Sequence, residues 1–291
     1  MRITVTAIEG NRQRLDGGAM FGNAPKALWQ RWLVPDADNR IELACRCLLI
    51  ETPGYKILCE TGIGAFFPPK LAERYGIQMP TRHLLLENLT QLGIQEADID
   101  MVILSHLHFD HAGGLLSAHG DEPTRLLFPN ATYVVGTEAF ARSVHPHVRD
   151  KASFIPELPQ MLLDSQRLLQ IAGTGDKVPG PLGPHLQFLF SHGHTPGHMH
   201  TLVKGDRQQV FFCGDLIPGI NWLHLPITMG YDRFPEKLIE EKGNVHTQAC
   251  AEKWFLFYTH DPEISMSRCQ RGDANRVEAI EVQPHVVRWE L

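Results

Sequence analysis

A short apolar run, Asp100-Met-Val-Ile-Leu104, stops abruptly in Ser105-His106-Leu107-His108-Phe109-Asp110-His111-Ala112-Gly113-Gly114. The run reads as a buried strand and the Gly-Gly pair as a turn, so the segment between them is a tight loop at a strand's carboxyl end. That loop carries three histidines and one carboxylate within six residues. A lone histidine is commonly solvated or hydrogen-bonded in a core, and no packing role needs such a density of imidazole. His106 and His108 can point the same way to clamp one ion, while Asp110 and His111 turn toward a second position beside it. The expectation is two adjacent metal positions, placed where strand ends favour active loops.

The rest of the chain must supply a scaffold. With 291 residues, 43% hydrophobic and 21% charged, it has ordinary globular usage and ample length for a buried core. We read residues 1–291 as one continuous domain without a fixed-period repeat. A net charge of −6 argues against a nucleic-acid footprint. No basic start leads into a long apolar run, so no membrane span is expected, and six cysteines outside any CxxC array suit a reducing, cytoplasmic setting. Strands are predicted over Ile41–Ile50 and Tyr55–Cys59, around the Thr52-Pro53-Gly54 turn, and later over 186–190, 200–203, 209–213 and 254–258. Helices are predicted over Thr81–Leu92, with Thr81 as N-cap, and over 159–170 and 235–252. The class is α+β, two β-rich halves with flanking helices.

Downstream lie Gly193-His194-Thr195-Pro196-Gly197-His198, then Gly214-Asp215 after a strand-like run, then Tyr258-Thr259-His260-Asp261 after another. Together with HxHxDH these segments resemble the metallo-β-lactamase superfamily, whose fold is an αββα sandwich. The intervals from His194 to Asp215 and on to His260 are similar to those of its lactonases and glyoxalase II. The resemblance implies His106, His108 and His194 on one metal, Asp110, His111 and His260 on the other, and Asp215 bridging. Nitrogen and oxygen donors suit zinc first, with manganese, iron or cobalt compatible. Glu60-Thr61-Gly62 stands where the superfamily usually has Asp-x-Gly. His198 is expected to orient a ligand, and His192 and His200 to be surface or packing residues.

Asp16 to Gly22, Pro25-Lys26, Leu28-Trp29, His145-Pro146 and Tyr231-Asp232 resemble a bacterial branch of quorum-quenching lactonases and, more distantly, methyl parathion hydrolase. The activity implied is hydrolysis of a lactone such as an N-acyl homoserine lactone, or a similar ester, with Asp110 moving a proton to the leaving group. Phosphotriester hydrolysis is the alternative; a mononuclear iron sulfur dioxygenase would have no use for His111 and His260. Superfamily lactonases often carry a tyrosine three residues past the bridging aspartate, where this chain has Pro218. Met20, Phe21, Trp29, Trp222, His224 and Tyr231 are the expected substrate pocket, with lid and core both open for the N-terminal aromatics. The expected partner is a small-molecule substrate, without nucleic acid or membrane, and an oligomer is left open.

Overall fold

A computed structural model describes residues 1–273 and 276–291. One sheet runs Trp289–Glu290, Thr4–Glu9, Arg46–Thr52, Tyr55–Cys59, Met101–Leu104, Thr132–Gly136, Leu168–Ile171, and the last four strands pair in parallel. The second runs Val277–Gln283, Met266–Arg271, Phe255–Phe257, Gln209–Phe212, His198–Lys204, Leu186–Ser191.

The period of two along these strands sorts their side chains into layers. Leu48, Ile50, Met101 and Ile103 face Phe212 and Phe257 between the sheets. Their neighbours Cys47, Leu49, Val102 and Leu104 face outward onto Leu85 and Leu89 of the helix Leu84–Gln91. On the far side Leu202, Phe211 and Leu256 pack under Leu238, Val245 and Ala249 of the helix Pro235–Glu252. This is the αββα sandwich that the sequence resemblance implies.

Helix Pro235–Glu252 and strand Tyr55–Cys59 fall where the sequence places them, and three segments differ for local reasons. The Ile41–Ile50 run splits: Arg40–Leu43 pairs with Gln13–Asp16 in a separate ribbon, and the main sheet is joined only at Arg46. Between them the amides of Ala44 and Arg46 donate to the carbonyls of His260 and Thr259, at 3.2 and 2.9 Å, so this backbone serves a ligand loop rather than one ladder. The helix predicted over Thr81–Leu92 starts after His83, not Thr81, because the His83 ring accepts from the Leu86 amide. The 159–170 pattern stops at Asp164; Gln166 takes a left-handed φ of 55° and the chain continues into the edge strand Leu168–Ile171.

Candidate metal centre

The candidate ligands sit at the carboxyl ends of strands from both sheets. His106 and His108 follow Met101–Leu104, and the single turn Phe109–Ala112 carries Asp110 and His111. His194 follows Leu186–Ser191, Asp215 follows Gln209–Phe212, and His260 follows Phe255–Phe257. Gly114 lets this loop close against the chain beside Glu60: a Cβ there would stand 2.0 Å from the Thr61 carbonyl oxygen. The Thr61 amide donates to the His111 carbonyl at 2.9 Å, so the ligand turn is pinned by its backbone.

The donor atoms of His106, His108, His194 and Asp215 lie within 4.8 Å of one another, and so do those of Asp110, His111 and His260. Asp215 joins the two groups. Its Oδ2 is 3.1 Å from His194 Nε2, while its Oδ1 is 3.1 Å from His260 Nε2 and 3.3 Å from His111 Nε2. One carboxylate thus presents a different oxygen to each set.

Three of the five imidazoles have Nδ1 hydrogen-bonded away from the cluster and a fourth turns Nδ1 to a carboxylate, which leaves Nε2 to face the centre. His194 Nδ1 donates to Asp232 Oδ1 at 2.8 Å, and His260 Nδ1 to the Ala44 carbonyl at 2.6 Å. His106 Nδ1 meets Ser105 Oγ at 2.9 Å, and that hydroxyl donates to Glu60 Oε1. His111 Nδ1 stands 2.9 Å from Glu60 Oε2. His108 is the exception, turning Nδ1 toward His194 Nε2 at 3.4 Å. Glu60, His106 and His111 form a third close group, but Glu60 lies on the Nδ1 side of these rings and supports them from behind. The longer Glu in place of the usual Asp therefore reaches two ligands, with its backbone at a φ of 62°.

These residues fit cations. His106 Nε2 and Asp215 Oδ1 are buried and make no hydrogen bond within the chain. Burial, reinforced by neighbouring imidazoles, holds His106 and His108 well below the usual histidine range, so they offer neutral nitrogen lone pairs. Burial opposes charge at Asp215, yet His111, His194 and His260 hold its carboxyl well below the usual range. Burial likewise opposes charge at His111 and His260, and the facing carboxylates, Glu60 and Asp215 for His111 and Asp215 for His260, raise both well above the ordinary value. Positive charge is wanted there, and a divalent ion would supply it in place of protons.

Two supporting residues have contacts to the ligands that the local sequence does not signal. Gln13 is fully buried and donates from Nε2 to Asp110 Oδ2 at 2.7 Å. Asp232 is buried between His194 and the Met229 amide, which donates to its Oδ2 at 2.6 Å. The Tyr231-Asp232 pair is visible in the sequence, but its contact with His194 is not. Asp232→Ala is expected to weaken metal retention or activity by about 10- to 100-fold through the loosened His194 ring, read by metal titration with a chelating competitor. Unchanged affinity and rate would show that His194 is oriented without it.

His198, buried, has Nε2 3.4 Å from the Asp215 amide and Nδ1 3.2 Å from Ser191 Oγ, the position of a ligand-orienting residue. His200 packs on Phe211 behind it, and half-buried His192 accepts from the Gly197 amide.

Above the ligands opens a cavity of about 290 Å³, lined by Met20, Tyr231, Tyr75 and Arg233 together with His108 and Asp110. Of the six expected pocket residues only Met20 and Tyr231 line it. Phe21, Trp29 and Trp222 are core: their rings stack with Phe21 in the middle, at centroid separations of 5.6 Å to Trp29 and 4.5 Å to Trp222. The reason is that the Trp222 loop is drawn onto the long helix, where the buried Lys242 ammonium donates to the carbonyls of Trp222 and His224. His224 stacks on Trp32 in a separate cleft.

A family model described as the metallo-beta-lactamase superfamily matches residues 40–123, the stretch that holds Glu60 and the HxHxDH loop. Over that stretch the chain is similar to the metallo-β-lactamase superfamily. It is 26% identical over 243 residues to an N-acyl homoserine lactonase of Bacillus thuringiensis, covering 78% of this chain and 85% of that one. A second lactonase, from Bacillus sp, is 27% identical over 57% of this chain, which spans 61% of its length. Among solved structures, a "probable metal-dependent hydrolase" of Staphylococcus aureus superposes with a TM-score of 0.83 at 24% identity, over 98% of this chain and 97% of that one. AidC, a dizinc quorum-quenching lactonase, superposes at 0.73 and 21%, over 96% and 94%. The chain shares its fold with these two structures.

Proposed function

We propose that this metal-dependent hydrolase holds two divalent ions, zinc first among the candidates, and opens a lactone or cleaves a related carboxylic ester. The observation that carries the reading is the division of Asp215 between two sets of histidines. His106, His108 and His194 would hold one ion and Asp110, His111 and His260 the other, with Asp215 shared. Bound there, the ions would supply an activated water at neutral pH and a Lewis acid for the carbonyl.

The chain's own residues do the rest. Gln13 fixes the Asp110 carboxylate from below, at the position from which it would pass a proton to the leaving alkoxide. Tyr231 brings a phenol to the cavity and is the residue we assign to orient the substrate carbonyl. Met20 and Leu15 give the cavity an apolar side. The named activity of the Bacillus relatives supports a lactone over other esters.

Purified protein of measured metal content, assayed on a panel of lactones, carboxylic esters and phosphotriesters, tests this. We expect close to two ions per chain, lactones preferred, and loss of activity with a strong chelator. Full activity with one ion or none would overturn the dinuclear assignment, and phosphotriesters turned over in preference to every lactone would overturn the substrate.

A further inference from the structure

The chain is acidic overall, yet the mouth of the cavity is not. Arg74, Arg149 and Arg233 line it, and the acidic side chains that share the lining, Asp110 and Asp215, are the proposed metal ligands. None of the three arginines is in an ion pair among the described residues. Arg149 gives one bond to the Gly230 carbonyl at 3.2 Å, and Arg74 lies 5.8 Å from the ring of Tyr75. Arg233 is half-buried and donates through Nε to the Tyr231 carbonyl at 2.8 Å, while its Nη1 is buried without a partner.

The nearest acids are committed elsewhere. Asp150 takes both Nε and Nη2 of Arg142, at 3.0 and 2.7 Å, and Asp232 holds His194 and the Met229 amide. Around Arg233 the guanidinium groups of Arg149 and Arg142 add like charge, and Asp150 and Asp232 are the opposing charges. A half-buried guanidinium beside a second one, with an orphaned donor, is costly unless an anion completes it. A concave, low-dielectric mouth also concentrates the field of such charges. An unsubstituted neutral acyl chain would gain nothing from any of this.

We propose that the substrate of this site carries an oxyanion, a carboxylate or a phosphate monoester, away from the bond that is cleaved, and that Arg149 and Arg233 receive it with Arg74 at the rim. This rests on the hydrolase reading above and narrows its substrate class. The guanidinium fork suits either group, since both accept paired N–H bonds. Met20 and Leu15 then pack the carbon spacer between the oxyanion and the scissile carbonyl.

Two measurements separate this proposal from the proposed function. The first compares γ-lactones whose side chain ends in a carboxylate, a phosphate monoester or an uncharged methylamide. We expect kcat/KM for one anionic series to exceed that of the methylamide by about tenfold or more, with the advantage shrinking as salt is raised. In Arg149→Met and Arg233→Met that ratio should fall toward one, and Arg233→Lys should restore part of it; a merely structural effect would lower all three substrates and leave the ratio standing.

The second is calorimetric binding of glutarate and adipate against valerate and hexanoate to the metal-loaded protein. Tighter binding of the dicarboxylates, lost in Arg149→Met, supports the anion site even if no lactone or ester turns over, in which case the proposed function fails alone. For a carboxylate-selective site both measurements favour the charged ligand. Hydrolysis of the methylamide lactone as fast as both anionic ones, with dicarboxylates bound no more tightly than monocarboxylates, overturns the anion site and leaves the hydrolase standing.

Discussion

Asp215→Ala protein is expected to leave a desalting column with less metal than His260→Ala. The aspartate gives one oxygen to the His194 side of the centre and the other to the His111 and His260 side, so its loss removes a ligand from both proposed ions and the charge that holds them together. His260 serves one side only. Elemental analysis of both variants beside the wild type is the measurement, and equal metal retention in the two would contradict the bridging assignment. Losing several kcal/mol of transition-state stabilisation should lower kcat of Asp215→Ala by about a thousandfold or more. The melting temperature should fall as well and cease to respond to added metal, because an ion bound only by the native state adds about 4 kcal/mol when present at a thousandfold excess over its Kd.

The second large effect belongs to the aromatic cluster that the sequence would place over the substrate. Phe21 is fully buried between Trp29 and Trp222, and the Trp222 indole donates to the Met20 carbonyl at 2.9 Å. Phe21→Ala should therefore cost about 3–5 kcal/mol of stability and roughly 5–15 °C in melting temperature. Every substrate should be affected alike. Met20→Ala, one residue away, should instead shift the preference among acyl chain lengths, because Met20 is the residue of this segment that reaches the cavity. Thermal melts and a chain-length series on both variants decide the matter. A thermally unchanged Phe21→Ala with altered chain-length preference would show that the ring contacts substrate after all.

The grouping of the candidate ligands was legible because local sequence ties them to strand ends. A run such as Met101–Leu104 reads as a buried strand, the Gly113-Gly114 pair lets the chain close against Thr61 and Phe66, and the three histidines between the two fall in one small volume. The helix Pro235–Glu252 was equally plain, with proline at its first position and apolar residues on one face. The folding pattern of period two likewise follows from the residues, since central strands such as Arg46–Thr52 and Met101–Leu104 have apolar side chains to bury on both faces.

Tertiary structure alone decided what surrounds those ligands. Gln13 meets Asp110 across 97 residues, Asp232 meets His194 across 38, and the Ala44 carbonyl meets the ring of His260 across 216. Such pairs depend on how the two sheets stack and where their loops come to rest, and neither side of a contact contains a pattern that names the other. The same holds for the pocket. Phe21, Trp29 and Trp222 have the composition of a binding wall, but three large apolar rings gain more by stacking on one another than by facing water, and the Lys242 bonds hold the Trp222 loop where that happens. The arginines at the mouth come from three separate segments of the chain; only the closed fold sets their charges around one opening, above the cluster of candidate ligands that the sequence proposes.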